Sequence, residues 1–247
     1  MNQRTFSPYE LNHLRKYGFS KPPTSIDEQP VEYVTGHVEF RDLDFLVNPS
    51  VLIPRLESEK LVQLALEHVQ TQVLEHPAIA DIGTGSGCLG LSLASALQKQ
   101  QTPYTLYLSD ISPSALSTAR ENAERLLPSP VNLFFQESDL LDNYPHVKFD
   151  IILANLPYIP SDNIPALPHS VKDFEPLSAL DGGHDGAVFI NRLLKQIPHF
   201  LSTKGVALFE IDDTQTINTF SIPKTLQVSA EKDLFGVSRF LLVSLKL

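Results

Sequence analysis

Ala78-Ile-Ala-Asp-Ile-Gly-Thr-Gly-Ser-Gly87 is a short apolar run that breaks into glycines, and the helix-forming segment Cys88 to Gln98 follows it. An unbroken apolar run of this length reads as a strand buried on both faces, and the glycines let the backbone pass close to a ligand before the helix begins. The alternation continues downstream. Thr105 to Leu108 is a second strand, and Pro113 to Leu126 is a helix with Ser112 as N-cap and Pro113 at its first position. Val131 to Phe135 is a third strand and Asp150 to Ala154 a fourth. A helix over Ala187 to Leu201 leads to a fifth strand, Gly205 to Ile211, and Leu226 to Ala230 and Arg239 to Val243 supply two more. Such alternation predicts an α/β fold, a parallel sheet with crossover helices.

Upstream of this core, Glu57 to Val73 carries Leu61, Leu64, Ala65 and Val69 at helical spacing, and Pro54 marks a turn before it. Glu32 to Val47 reads as a hairpin: Tyr33, Val34, His37, Val38 and Phe40 run to Arg41-Asp42, after which Leu43, Phe45 and Val47 share a face. Pro8 to Tyr17 forms a short helix that Gly18 ends. The expected division is a short N-terminal segment over residues 1–30, a hairpin with its connecting helix over 31–76, and the main domain over 77–247.

The 247 residues carry a net charge of −10, which gives no overall attraction to a phosphate backbone and disfavours nucleic acid as partner. One cysteine, Cys88, cannot form an internal disulfide, and Met1 to Tyr9 lacks the apolar stretch of a signal peptide, so a cytoplasmic protein is expected. No apolar run nears the ~20 residues needed to span a bilayer, so no membrane partner is expected. The eight histidines show no metal-ligand spacing, and no metal is assigned.

In open α/β sheets ligands bind at the carboxyl ends of the strands. There the chain places Asp81 with Gly83, Gly85 and Gly87, then Asp110, then Asp139, then Asn155. Two ligands compete for the glycine loop. Gly85, Gly87 and Gly90 spell the dinucleotide pattern, in which a pyrophosphate rests on the helix N-terminus. An acid beside the first glycine instead suits a cation, such as the ammonium and sulfonium of S-adenosylmethionine. Asp110 would accept from ribose hydroxyls with either ligand, and Asp139 is placed to accept from an adenine amine.

Phe149-Asp-Ile-Ile-Leu-Ala-Asn-Leu-Pro-Tyr-Ile-Pro160 is a buried strand ending in a proline-stiffened turn. Pro157 fixes its own φ and holds Leu156 extended, which frees the Leu156 carbonyl to face a ligand. A planar NH2 group could then give one hydrogen to the Asn155 side chain and the other to that carbonyl, with Tyr158 on its face. The loop Asp181-Gly-Gly-His-Asp-Gly186 reads as a turn.

Six stretches, in order, resemble the release-factor glutamine methyltransferases of the PrmC/HemK type: Tyr33 to Phe40, Val51 to Glu59, Asp81 to Gly87, Asn155 to Tyr158, Phe174 to Gly183 and Glu231 to Phe240. The resemblance implies a Rossmann-like seven-stranded methyltransferase fold with a short N-terminal appendage and a β-hairpin. It also implies methyl transfer from S-adenosylmethionine to a glutamine side-chain amide, in the Gly-Gly-Gln motif of a peptide chain release factor. By the same analogy Asn155, Leu156, Pro157 and Tyr158 are the catalytic turn. Asp81, Gly83, Thr84, Gly85, Gly87, Asp110, Ile111, Asp139, Leu140 and Asn155 surround the cofactor, and Asn155, Tyr158, Arg55 and Glu59 border the substrate.

The chain departs from that family in three places. Leu156 stands where the family has proline, and Asn-Leu-Pro-Tyr also occurs in ribosomal RNA adenine dimethyltransferases, so an adenine-amine methyltransferase acting on RNA or DNA is the alternative enzyme. The helical N-terminal domain is reduced to residues 1–30, which admits a catalytically weak cofactor-binding scaffold. The helix before Leu226 is shortened to Thr214 to Phe220.

Overall fold

The structure, a computed structural model, describes residues 4–20, 28–127, 132–144, 147–233 and 235–246. Helix α1 (Pro8–Lys16) starts at Ser7, whose hydroxyl accepts from the Glu10 amide while the Glu10 carboxylate accepts from the Ser7 amide at 2.7 Å. The next element corrects the hairpin reading. Val31–Thr35 is a helix, α2, closed by Gly36 at φ +78°. Its β-branched and aromatic residues favour a strand locally, but the tertiary setting decides: Val31 and Tyr33 are buried, and the Tyr33 hydroxyl donates to the Val51 carbonyl at 2.6 Å.

The hairpin itself is β1 (His37–Phe40) and β2 (Leu43–Leu46), joined by Arg41 and Asp42, both at positive φ as a two-residue primed turn requires. Then follow α3 (Glu59–Gln72), β3 (Ala78–Ile82), α4 (Cys88–Lys99), β4 (Thr105–Asp110), α5 (Pro113–Leu126), β5 (Leu133–Glu137) and β6 (Phe149–Ala154). Val131, the expected start of the third strand, lies outside the described residues. The remainder comprises α6 (His169–Lys172), α7 (Val188–Phe200), β7 (Leu201–Glu210), β8 (Leu226–Lys232) and β9 (Ser238–Leu245). The helix expected over Thr214 to Phe220 is a single tight turn at Ile217–Thr219.

β3 to β9 form one seven-stranded sheet in the order β5-β4-β3-β6-β7-β9-β8, with β9 antiparallel to both neighbours and the other pairs parallel. Successive side chains of a strand point to opposite faces, and the central strands fill two cores on that rule. Ile79, Ile151, Leu153, Val206 and Leu208 pack with the hairpin, α3, α4 and α5, while Ala80, Ile82, Ile152, Ala154, Ala207 and Phe209 pack with α7.

The hairpin is stitched to the rest through Asn122 of α5, which is fully buried. Its Oδ1 accepts from the Leu46 amide at 2.7 Å, and its Nδ2 donates to the Leu46 and Ser86 carbonyls, both at 2.9 Å. One side chain thereby couples the hairpin edge to the glycine loop. Among the described residues no helix is long and apolar enough to cross a membrane.

Candidate active site

β3 has β4 on one side and β6 on the other, so the loops leaving β3 and β6 diverge, and a cavity of about 500 Å³ opens between them. Its wall brings together most of the expected residues: Gly83, Thr84 and Gly85; Asp110 and Ile111; Asp139 and Leu140; Asn155, Leu156 and Pro157; and Arg55. Asp81, Gly87, Glu59 and Tyr158 are not part of that wall, each for an identifiable reason.

Asp81 is 1% exposed and turns toward α4, where its Oδ2 accepts from the Thr84 hydroxyl at 2.6 Å and the Gly90 amide at 2.9 Å. There it braces its own loop, and burial pushes its carboxyl up to about 6. Gly90 is required for this, since a Cβ there would lie 2.9 Å from Asp81 Oδ2 and 3.3 Å from Leu106 Cδ1. One helix amide that a pyrophosphate could use, that of Gly90, is already taken by a carboxylate, which counts against the dinucleotide reading. Gly87, at φ +83°, caps α4 from behind the loop. Glu59 accepts from the Arg41 amide at 2.8 Å and so secures the hairpin turn.

Asp110 holds the loops on either side of it: Oδ2 accepts from the Gly85 amide and Oδ1 from the Ser112 amide, both at 2.9 Å. Burial raises its carboxyl above the ordinary range while these amides oppose the rise. Asp139 is held by Arg192 of α7 at 2.8 Å. Beside these acids, Ile111 is exposed, and with Leu89, Ala115 and Phe189 it gives the cavity an apolar side.

At the other end of the cavity Asn155 donates from Nδ2 to Ser58 Oγ at 3.0 Å, and Ser58 donates to Glu210 Oε2 at 2.5 Å. Tyr158 donates to Glu210 Oε1 at 3.0 Å, a bond that braces the turn. With Nδ2 committed to Ser58, Oδ1 is the end of the Asn155 amide left to accept from a ligand. Leu156 is buried, and its side chain packs against Gly83, where a Cβ would meet Leu156 Cδ2 at 3.0 Å. The leucine side chain therefore packs under the glycine loop.

Arg55 reaches Glu175 at 2.5 Å, and Glu175 also accepts from the Ile53 amide at 3.3 Å. Burial raises the Glu175 carboxyl, with Arg55 opposing. Sequence reasoning gave no role to Ser58, Glu175, Arg192, Glu210 or Asn122. A lone acid closing the apolar run Val206 to Phe209 was the available signal for Glu210.

A family model described as the methyltransferase small domain matches residues 58–164. A release factor glutamine methyltransferase of Clostridium acetobutylicum is 34% identical over 239 residues, 94% of this chain and 81% of that one. The chain belongs to the release factor glutamine methyltransferase family. The family member of Moorella thermoacetica is 43% identical over 187 residues, 75% of this chain, and the match spans 63% of that relative's length. A solved methyltransferase from Pyrococcus furiosus shares the fold, at TM-score 0.54 and 19% identity, over 83% of this chain and 89% of that one.

Proposed function

We propose that this chain transfers a methyl group from S-adenosylmethionine to the side-chain amide nitrogen of a glutamine, in the Gly-Gly-Gln motif of a peptide chain release factor. Such a substrate places its work in the cytoplasm. The observation that carries the reading is the fixed amide of Asn155, whose carbonyl end is left as an acceptor at the wall of a cavity lined by acids and apolar side chains.

The cavity residues fit the cofactor. Asp110 suits ribose hydroxyls, Asp139 an adenine amine, and Ile111, Leu140 and Phe189 an adenine face. When bound, S-adenosylmethionine supplies an activated sulfonium methyl. An amide nitrogen is a weak nucleophile because its lone pair is delocalised, so the protein's task is to position it. Accepting both amide hydrogens at Asn155 Oδ1 and the Leu156 carbonyl aims the nitrogen and favours the positive charge that develops on it. No base is needed before transfer, because the nitrogen becomes acidic only afterwards.

Incubation with labelled S-adenosylmethionine and either a Gly-Gly-Gln release-factor fragment or RNA tests the reading. Label on the glutamine of the fragment supports it. Label on adenine of the RNA alone would establish the alternative, in which the same two acceptors clasp a base amine, and cofactor binding without transfer to either would leave a scaffold. Asp110→Ala is expected to weaken S-adenosylmethionine binding by about 10- to 100-fold in calorimetry, the loss of a charged hydrogen-bond acceptor.

A further inference from the structure

We propose that Glu210 is a positioning residue: through Ser58 it decides which end of the Asn155 amide faces the cavity, and through Tyr158 it holds the turn that presents the Leu156 carbonyl. The proposal rests on the reading of Asn155 as the acceptor for the substrate amide. It draws together groups from three separate segments, the turn before α3, the turn just after β6, and the end of β7.

The logic is one of proton counting. Ser58 has one hydroxyl proton and gives it to Glu210 Oε2, so toward Asn155 its oxygen only accepts. Asn155 must therefore offer Nδ2, as it does, and Oδ1 is left for the ligand. A carboxylate is the group that fixes this order, because it accepts from Ser58 and Tyr158 at once and donates to neither. Glutamine at 210 has one accepting end. With its NH2 toward Ser58, the hydroxyl proton is released toward Asn155 and the amide turns over, presenting donors to a substrate that also donates. With its NH2 toward Tyr158, the tyrosine loses its acceptor and the turn loses its brace.

Glu210 is 2% exposed, so the network is shielded from water, which would otherwise offer Ser58 and Asn155 other partners. The charged groups that act on it are Arg239 of β9, which favours the carboxylate, and Glu57 in the turn before α3, which disfavours it, while burial pushes the carboxyl up. As pH falls, Glu210 therefore takes up a proton above the ordinary glutamate range and becomes a donor to Ser58. Turnover should show an acid limb there that Glu210→Gln lacks.

The test uses the full chain, S-adenosylmethionine and a Gly-Gly-Gln release-factor fragment, with the variants Glu210→Gln, Ser58→Ala and Tyr158→Phe. Glu210→Gln and Ser58→Ala are expected to lower kcat by about tenfold or more with cofactor affinity in calorimetry unchanged, the effect of misplacing one polar contact. Tyr158→Phe, which leaves the Ser58 contact, should lose less. A second readout is independent of activity: the side-chain amide NMR signal of Asn155, recognised by its absence in Asn155→Ala, should shift in both Glu210→Gln and Ser58→Ala. Parent-like kcat and acid limb in Glu210→Gln, or an unmoved Asn155 signal in the variants, would overturn the proposal. If Glu210→Gln does not fold, the parent carries the test: its Asn155 side-chain signal should shift with pH along the acid limb of kcat, and a signal that stays put across that limb would overturn the proposal. A parent protein that methylates no fragment refutes the functional reading, and the Asn155 signal still decides the role of Glu210.

Discussion

Asn155→Ala is expected to lower kcat by about 10²- to 10³-fold, the cost of removing a polar contact that tightens in the transition state. S-adenosylmethionine binding should persist, because Asp110, Asp139 and the glycine loop are positioned by other bonds: Asp110 by the Gly85 and Ser112 amides, and Asp139 by Arg192. The amide hydrogens of the substrate would lose one of two acceptors, and the nitrogen its aim. A kcat loss with little change in KM is the signature of an interaction made mainly in the transition state. Asn155→Asp sharpens the prediction, since it keeps the side-chain shape. It places a second carboxylate on Ser58, whose single proton already goes to Glu210. Activity should fall in that variant too, although an acceptor still faces the cavity. Steady-state kinetics with calorimetric cofactor titrations check both variants, and a parental kcat for Asn155→Ala would remove the mechanism.

The sheet was legible because each parallel strand is buried on both faces and so needs an unbroken apolar run, as in Ala78 to Ile82 and Ile151 to Ala154. Helix α5 was legible to the residue, since Ser112 and Pro113 announce its start chemically. Val31–Thr35 was misread because five residues carry too little periodicity to outweigh strand-favouring side chains.

Within the site, sequence order placed residues at strand ends but could not say which way they turn. Asp110 closes its strand and Asp81 stands one residue before the end of its own, and packing decides which way each turns. Gly90 lets α4 approach Asp81 closely, so that carboxylate faces inward, while Asp110 lines the cavity. The Ser58, Glu210 and Tyr158 contacts join positions 52 to 152 residues apart, a separation at which local pattern carries no information.

Gly186→Ala is expected to be among the most destabilising single substitutions in the chain. The loop Gly182 to Gly186 packs against the segment that follows Asn155: the Gly182 amide donates to the Ile159 carbonyl at 2.8 Å, and the Ser161 amide to the Gly183 carbonyl at 2.9 Å. A Cβ at Gly182 would lie 2.7 Å from the Pro157 carbonyl oxygen, and one at Gly186 would overlap the Tyr158 carbonyl outright. These obstacles are backbone, which cannot rotate away as a side-chain tip can. Gly186 also sits at φ +70°, a conformation that costs an L-residue roughly 1–2 kcal/mol by itself. Gly236 separates the two effects, because it has φ +83° and nothing within 4 Å of its would-be Cβ. Gly236→Ala should therefore show the conformational cost alone. Gly186→Ala adds the steric clash and should reach about 3 kcal/mol or more. In a chain of this size that lowers Tm by about 6–12 °C, against a few degrees for Gly236→Ala. The loss should extend to turnover, since displacing the Tyr158 carbonyl moves the turn that carries Asn155 and Leu156. Thermal unfolding followed by circular dichroism, with kcat measured below both transitions, decides the matter. Equal Tm shifts for the two variants would show that the loop does not brace the turn.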